Sequence, residues 1–410
     1  MKQNKWYFGL LLVLLVGAVG LGVSLRVLKQ RGVINSQNSA ASGAQSGCSQ
    51  YERSWGDWCV YTWSDGSPDK IVWGFDNIYH PSVWLRNGQW NMVAGGWKSP
   101  AKDQQYRDRV YQLRTSDPYG ITGWQLVPGA GAGGALVDNA FENAASTDVP
   151  REAYALGNSG RATAYESFHT VQPDVVPVEQ YPRQADGSTF PCCDALYYSY
   201  DYAGAFPEKQ VGVHMGYFDA QGVLQRAGRF GAKNPALDWR SYSSLGGDKV
   251  AGVSDARVTY DPQTKQFYMV YGEWWDSHKS SDGGSATTSL ASAGWTNQKF
   301  TVVKRNLLDM EAYAGNPQIV VGPDAKYYLF YTRFSGGIFV ASADNIAGPY
   351  TAHKQVLAPK SGFTTVGTPY VFCNTNMNQW QMYFYASTGG ADNQIYTAFL
   401  HKSCATPPTL

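Results

Sequence analysis

The stretch from Ser254 to Trp275, SDARVTYDPQTKQFYMVYGEWW, carries the pattern on which the fold depends. It opens with a short motif ending in Val258, passes through the turn DPQTK, and continues into a strand dominated by aromatic and apolar residues. Aromatic and β-branched residues favour extended strands, while Asp and Pro favour the turn that joins them. The stretch therefore predicts an antiparallel hairpin.

The same pattern occurs five times along the chain. The copies begin at His80 (HPSVWLRNGQWNMVAGGW), Gln172 (QPDVVPV, continued after an insertion by DALYYSYDYAG), Ser254 (the stretch above), Asn316 (NPQIVVGPDAKYYLFYTRF) and Thr368 (TPYVFCNTNMNQWQMYFYAS). Further strands follow, such as RVYQLRTSD from Arg109, so each copy predicts an antiparallel meander. Repeats spaced by about 50 to 90 residues fit propeller blades that carry insertions.

The predicted fold class is all-β, a five-bladed β-propeller behind an N-terminal transmembrane helix. A single β-sandwich with extra hairpins is the alternative, because it also uses short antiparallel strands. The segment VYTW, which begins at Val60, lies ahead of the first copy. We expect it to supply the strand that closes the ring against the last blade.

The composition excludes several kinds of partner. Lys and Arg total 33 and Asp and Glu total 32, giving a net charge of +1, so the chain lacks the basic excess of nucleic-acid-binding proteins. Charged residues make up 16% of the chain, whereas 14 Trp, 28 Tyr, 17 Phe and 44 Gly indicate strands, turns and aromatic surface. No nucleic-acid partner is expected, and the neutral balance favours a neutral glycan over a strongly acidic one.

The N-terminal region predicts a membrane anchor. From Trp6 to Leu25 the chain is uncharged and apolar, over the roughly 20 residues that a helix needs to cross a bilayer. Basic residues follow from Arg26 and no small-residue cleavage site is evident, which favours an uncleaved anchor over a signal peptide. The predicted domains are the anchor at 1–34, a small polar linker at 35–50 and the propeller at 51–410, with secretion as the alternative if the N-terminus is cleaved.

Six cysteines, an even number, suit an oxidising compartment. This favours a body that lies outside the cytoplasm, periplasmic or at the cell surface, held by its anchor. The expected disulfides, each closing a modest loop at one end of the chain, are Cys48–Cys59 and Cys373–Cys404. Cys192 and Cys193 are adjacent, and both a vicinal disulfide and separate thiols stay open.

Candidate functional residues lie at the starts of the repeats, because the first strand of each propeller blade lines the central channel. Three carboxylates fall near such starts: Asp76, Asp255 and Glu311. A buried, aromatic-lined channel separates the pKa values of such groups, so that one is an acid and another a base. The candidate substrate-binding residues are His80, Arg257, Trp274, Trp275 and Asn316.

The repeated x-P-x-V/I motif, the tyrosine-rich strands behind it and the acidic residues at three repeat starts resemble the five-bladed glycoside hydrolases of family 43. The resemblance implies a base Asp on the first blade, a second Asp that orients, a Glu acid farther along, and inversion at the anomeric carbon. Asp255 matches the second Asp, and Glu311 follows it at a similar distance. His80 stands where the family has the first Asp, so Asp76 becomes the candidate base.

The other candidates have more than one interpretation. Arg257 is expected to hold either Asp255 or an acidic sugar by a two-pronged contact. His80 is open as an acid, a base, an ion ligand or a hydrogen-bonding residue, and Trp274 and Trp275 as stacking platforms or as core between blades. No zinc motif is present and no protein-encoded metal site is predicted. A structural Ca or Na ion in the channel is implied by the resemblance alone.

Two functions from different classes are therefore predicted. The first is an extracytoplasmic, inverting glycoside hydrolase that acts on a polysaccharide or oligosaccharide, with carboxylates roughly 6.5 to 9.5 Å apart in the channel. The alternative is a non-catalytic glycan-binding propeller in envelope or exopolysaccharide metabolism, which the histidine at the first repeat favours. In both cases the partners are carbohydrate and, through the N-terminal helix, the membrane.

Overall fold

The structure is a computed structural model of the 410-residue chain. It describes residues 48–63, 67–98, 109–129, 134–136, 169–177, 194–201, 210–218, 222–226, 236–238, 250–275, 287–293, 300–308, 314–333, 337–360, 362–389 and 392–409. The predicted anchor and linker, up to residue 47, lie outside these ranges. Among the described residues, no helix is long and apolar enough to cross a membrane.

The described strands form five separate antiparallel sheets, which are the blades. Two short strands come first, β1 (Glu52–Ser54) and β2 (Cys59–Tyr61). Blade one contains β3 (Asn77–Arg86), β4 (Gln89–Trp97), β5 (Arg109–Thr115) and β6 (Gln125–Val127). Blade two contains β7 (His169–Val176), β8 (Ala195–Asp201), β9 (Gln210–Phe218) and β10 (Leu224–Arg226), with β11 (Leu237–Asp238) also paired to β9.

The last three blades repeat the same order. Blade three contains β12 (Val250–Asp261), β13 (Gln266–Trp275), β14 (Thr287–Ala293) and β15 (Thr301–Lys304). Blade four contains β16 (Ala314–Val321), β17 (Tyr327–Arg333), β18 (Gly337–Ala343) and β19 (Thr351–Leu357). Blade five contains β20 (Thr365–Asn374), β21 (Gln379–Ser387) and β22 (Gln394–Leu400). The five sheets confirm the predicted five-bladed β-propeller. The alternative, a single β-sandwich, is wrong because a sandwich consists of two sheets and the described strands form five.

The ring closes where the sequence predicted. Strand β2 pairs with β22, with Cys59 opposite Phe399 and Val60 opposite Ala398, and β1 adds outside β2. The last blade is thus completed by a strand from the other end of the propeller domain. The two expected disulfides lie beside this junction and are confirmed: Cys48–Cys59 spans 5.4 Å between Cα atoms, and Cys373–Cys404 spans 5.6 Å. The Cys192-Cys193 pair lies outside the described residues.

A bulge in the first strand of every blade explains the repeated motif. The register between first and second strands shifts at Tyr79/Ser82, Val171/Asp174, Ser254/Arg257, Gly315/Gln318 and Gly367/Tyr370. A bulge inserts an extra residue that bends the strand and re-aims its side chains. Each bulge contains two residues, and the second of them is Pro or Ala. Proline is tolerated there because a bulged residue gives no ladder hydrogen bond.

Hydrogen bonds join each blade to the next at one equivalent position, the Val or Ile that ends the motif. The five bonds are Val175 N to Ser82 Oγ (3.0 Å), Val258 N to Asp174 Oδ2 (2.8 Å), Thr259 Oγ1 to Ile319 O (2.9 Å), Val371 N to Gln318 Oε1 (2.6 Å) and Tyr370 OH to Val83 O (2.8 Å). Each blade junction therefore has a side-chain bond close to the axis, and these bonds hold the inner strands in a fixed ring.

Hydrophobic clusters fill the spaces between blades. The cluster between blades two and three packs Tyr197 and Val213 against Val258 and Met269, all with at most 7% of their surface exposed. Fully burying one such apolar side chain contributes about 1.5 to 3 kcal/mol. The abundance of tyrosine and phenylalanine in the sequence is thus used largely to pack sheet against sheet.

Candidate functional site

One residue from each blade lies at the bulge in a left-handed backbone conformation. These residues, which we call the axial ring, are His80 (φ 51°), Gln172 (φ 53°), Asp255 (φ 55°), Asn316 (φ 51°) and Thr368 (φ 50°). Positive φ is uncommon outside glycine, and it is a genuine outlier for a β-branched residue such as Thr368. In four of the five blades a proline follows, which restricts the preceding residue further. Strain of this kind, repeated around one axis, is typical of a functional site.

The axial ring is held by bonds between its own members. The Asp255 N–H donates to Gln172 Oε1 at 3.0 Å, and the His80 N–H donates to Thr368 Oγ1 at 3.3 Å. The Asn316 N–H donates to the Asp255 carboxylate. Backbone groups that the bulges free from the sheet ladder are therefore satisfied by the neighbouring blade, so the geometry of the ring depends on all blades at once.

The central contact joins blade one to blade three: His80 Nε2 lies 3.5 Å from Asp255 Oδ1. Both residues are buried, with 6% of each exposed. Burial raises the pKa of Asp255 to about 7, against the smaller opposing effects of Ser254, Arg257 and Asn316. Burial, followed by the charge of Arg257, lowers the pKa of His80 well below its ordinary value. The two groups therefore meet as neutral carboxylic acid and neutral imidazole just below pH 7, and not as a fixed ion pair.

Arg257 lies two residues after Asp255 on β12, and its side chain supports the axial ring. Its guanidinium donates to Asp174 Oδ1 at 3.1 Å, to Pro173 O at 3.1 Å and to Pro81 O at 2.8 Å. It thus ties blades one, two and three together while 5% exposed. The ion-pair partner of Arg257 is therefore Asp174 and not Asp255, on which Arg257 acts only through its charge.

Two tyrosines border the axial ring. The Tyr79 ring lies 5.1 Å from the His80 ring and 6.5 Å from the Tyr385 ring, centroid to centroid. The pKa of Tyr385 is raised, first by burial and also by the charge of Asp255. Gly367 makes room for this tyrosine, because a Cβ there would lie 2.8 Å from Tyr385 Cε1. The arrangement gives the site an aromatic wall beside its titratable pair.

The other candidate residues are placed differently. Asn316 is a member of the axial ring, as expected from its position at a repeat start. Asp76 is exposed on the segment ahead of β3, four residues before His80, and is not a ring member. Glu311 lies outside the described residues. Trp274 and Trp275 end β13, where their backbones pair with Gly252 and Val250, and the structure describes nothing of their side chains.

The ring offers little to a metal ion. Calcium takes six to eight oxygen ligands, commonly several carboxylates, whereas the ring supplies one carboxylate whose pKa is raised. Its amide and hydroxyl oxygens at Gln172 and Thr368 already accept backbone hydrogen bonds. These residues alone do not fit a calcium site, and an ion in the channel stays a prediction. Elsewhere in the described ranges, Cys48, Glu52 and Cys59 cluster, but the two sulfurs form a disulfide.

Sequence reasoning missed two ring members, Gln172 and Thr368. Both begin copies of the repeat, so the signal was the alignment of the copies and not the residue type. Neither an amide nor a hydroxyl titrates near neutral pH, so neither residue was a candidate acid or base. Their role in the ring is to accept the backbone N–H of a neighbouring blade's residue.

Comparison with known proteins gives a likeness in fold. No described protein family matches the sequence, and no curated protein matches it. A thermostable family-43 glycoside hydrolase is similar in structure, with a TM-score of 0.52 and 14% identity, over 82% of this chain and 97% of the other. A second structure, named a glycoside hydrolase, has a TM-score of 0.53 and 11% identity, over 86% and 93%.

The GH43_1 enzyme from Xanthomonas citri, solved with xylotriose, has a TM-score of 0.51 and 13% identity, over 83% of this chain and 92% of the other. Its length is thus covered almost completely, although few residues are shared. These likenesses establish that the chain has the five-bladed propeller fold of family-43 glycoside hydrolases, as its repeated motif predicted.

Proposed function

We propose that the protein is a glycoside hydrolase that acts on a polysaccharide or oligosaccharide outside the cytoplasm, with its centre at the axial ring. The observation that carries this proposal is the contact between His80 and Asp255 at the axis, where burial raises the pKa of Asp255 to about 7. A buried carboxyl group whose pKa lies near neutral pH, in contact with an imidazole, has the properties that acid–base catalysis requires. The glycoside hydrolases that share the fold support the choice of reaction.

The geometry assigns His80 and Asp255 to one role. Their 3.5 Å separation leaves no space for a water and a sugar between them, whereas the acid and base of an inverting enzyme stand roughly 6.5 to 9.5 Å apart. They therefore act together on one side of the bond. Once Asp255 ionises, its charge stabilises His80 as the imidazole takes a proton from the attacking water. The opposite carboxylic acid is then supplied from elsewhere, and Glu311 remains the predicted residue.

The compartment follows from separate observations. Two disulfides, Cys48–Cys59 and Cys373–Cys404, suit an oxidising environment. The apolar segment from Trp6 to Leu25 is the length of a membrane-spanning helix. Together they support a body held at the outer side of a membrane, close to envelope or extracellular glycans.

The test is a glycan screen with detection of released reducing ends, using the parent, Asp255→Asn and the control Asp344→Asn. Asp344 carries the same carboxylate but is 87% exposed at its side chain. Asp255→Asn removes the carboxyl group that contacts His80, so it is expected to slow turnover by about 10²- to 10⁴-fold, whereas Asp344→Asn is expected to keep the parent's rate. Equal rates for all three proteins on a cleaved glycan would rule out the assignment of Asp255.

A second candidate function is glycan binding without catalysis. It is favoured by one observation, the exposed position of Asp76 on the segment ahead of β3 while a histidine occupies the ring position on blade one. This function predicts saturable binding to a glycan with no release of reducing ends. The same screen distinguishes the two functions, because only the hydrolase produces new ends.

A further inference from the structure

We propose a second carbohydrate-binding site on the outer surface of the propeller, formed by Trp63, Trp73 and Lys70, which holds a polysaccharide chain beside the channel. It deepens the proposed function, because its ligand is a longer stretch of the same class of substrate. No residue of this site belongs to the axial ring.

Trp73 is 57% exposed. Among the described residues, no other large hydrophobic residue has a higher exposed fraction. Its ring centroid lies 6.4 Å from that of Trp63, at an interplanar angle of 59°, so the two indoles form an angled pair. The Lys70 ammonium lies 4.5 Å from the Trp73 ring centroid. More than half of Trp73 stays open to solvent in spite of these two contacts. An indole offers a large, flat apolar face together with an N–H donor.

The backbone that carries Trp73 is fixed by its neighbours. Ile71, Val72 and Phe75 are buried, at 4%, 0% and 6% exposed, in the cluster between blades five and one. The Ile71 N–H donates to Ile395 O at 2.9 Å, so this segment runs along the last blade. Because residues on both sides of Trp73 are anchored, the indole is presented by a rigid support. A ligand therefore loses little affinity to ordering the protein on binding.

The site lies within a short length of chain from the axial ring. Trp73 precedes β3, and His80 is the fourth residue of that strand. His80 is seven positions after Trp73, which limits their Cα atoms to about 25 Å apart. A single polysaccharide chain has the reach to contact the indoles and the channel at once. Such a contact raises the effective concentration of substrate at the catalytic pair.

The surroundings favour a sugar chain over a protein partner. Gly74 and Asp76 follow Trp73 and are both exposed, so apolar surface does not extend beyond the indoles on that side. A stable protein interface buries well over 1,000 Å² around an apolar centre. A sugar ring needs only one aromatic face for its C–H groups and a donor for its hydroxyls. Trp73 provides the face, and the Lys70 ammonium provides the donor.

The experiment measures retardation of the full-length protein in native gels that contain soluble arabinoxylan, linear arabinan or dextran. Four proteins are compared: the parent, Trp73→Ala, Lys70→Ala and the control Val303→Ala, which removes an exposed hydrophobic residue (48% exposed) from the outer strand of blade three. Turnover of the shortest oligosaccharide that the parent cleaves in the reducing-end screen is measured in parallel for each protein.

Trp73→Ala is expected to raise the apparent Kd obtained from the retardation by about tenfold, or 1.4 kcal/mol. A smaller increase in Kd is expected for Lys70→Ala and none for Val303→Ala. Oligosaccharide turnover is expected to stay unchanged. Failure of the proposed function would appear as no released reducing ends from any glycan of the screen, with Trp73-dependent binding intact. Retardation equal in Trp73→Ala and the parent, or no retardation of the parent by any of the three polysaccharides, would overturn the second site. A dimer that Trp73→Ala dissociates would also overturn it, because the indoles would then be an interface between copies.

Discussion

Replacing Asp255 with Asn is expected to make the protein more stable at alkaline pH while removing its activity. Asn has the shape of Asp, retains a carbonyl oxygen for the Asn316 N–H, and tolerates the positive φ of 55° at this position. The substitution therefore removes the charge and leaves the backbone conformation in place. Any change that depends on pH then reports the burial of the carboxylate.

The magnitude follows from the pKa of Asp255, which burial raises from 3.8 to about 7. The folded state binds the proton more tightly than the unfolded chain, so stability is fully present below pH 4 and is lost as pH rises to 7. Each pKa unit corresponds to 1.36 kcal/mol, so the parent loses up to about 3 kcal/mol between pH 4.5 and pH 8 relative to a neutral side chain. The Asn variant does not have this loss.

The assay is urea unfolding of the parent and Asp255→Asn at pH 4.5 and pH 8, with Asp344→Asn as the exposed control. The stability difference between Asp255→Asn and the parent is expected to grow by about 2 to 3 kcal/mol in favour of the variant from the lower to the higher pH. The control is expected to follow the parent at both values. A difference that does not change with pH, or that changes in the parent's favour, would refute the reasoning that Asp255 is ionised at a cost in a buried ring.

Three further changes test the support of the ring. Arg257→Met leaves Asp174 buried without its ion-pair partner, so it is expected to lower the free energy of unfolding by about 3 to 5 kcal/mol, measured by urea unfolding. The double variant Arg257→Met, Asp174→Asn is expected to recover part of this loss. Equal stability of the single and the double variant would contradict the pairing. Replacing Cys48 and Cys59 with Ser is expected to cost about 3 kcal/mol, measured as a lower unfolding midpoint, because the ring-closing strand loses its cross-link over 11 residues; an unchanged midpoint would show that closure does not need it. Gly367→Ala is expected to cost about 1 to 3 kcal/mol and to lower turnover, because the new Cβ would lie 2.8 Å from a tyrosine ring carbon; full activity would mean that this tyrosine is not part of the site.

Several parts of the fold were accessible from the sequence because they depend on local chemistry. The aromatic-rich segments and the turn residues in each copy predicted strands and hairpins. The strand at Val60 and both disulfides at the ends of the domain were also predicted, since a ring needs closure and each pair closes a modest loop. Three members of the axial ring, His80, Asp255 and Asn316, were among the candidate residues because they lie at or beside the start of a copy.

The contacts of individual side chains could not be predicted from the sequence. The acidic residue nearest to Arg257 in sequence is Asp255, but the ion pair of Arg257 is with Asp174 on another blade. Asp76 has the chemistry of a base, yet it lies exposed outside the ring. Such pairings join residues about 80 or more positions apart, so no local pattern encodes them.

The sequence by itself thus determined the five blades and the closure of the ring, because strand-forming and turn-forming residues act over a few neighbouring positions. Only the tertiary structure decided that His80 meets Asp255 at 3.5 Å and that burial brings the pKa of this carboxyl to about 7. The physical reason is that burial and interblade hydrogen bonding exist only once all five blades have closed into a ring, and these two effects determine the electrostatics of the site.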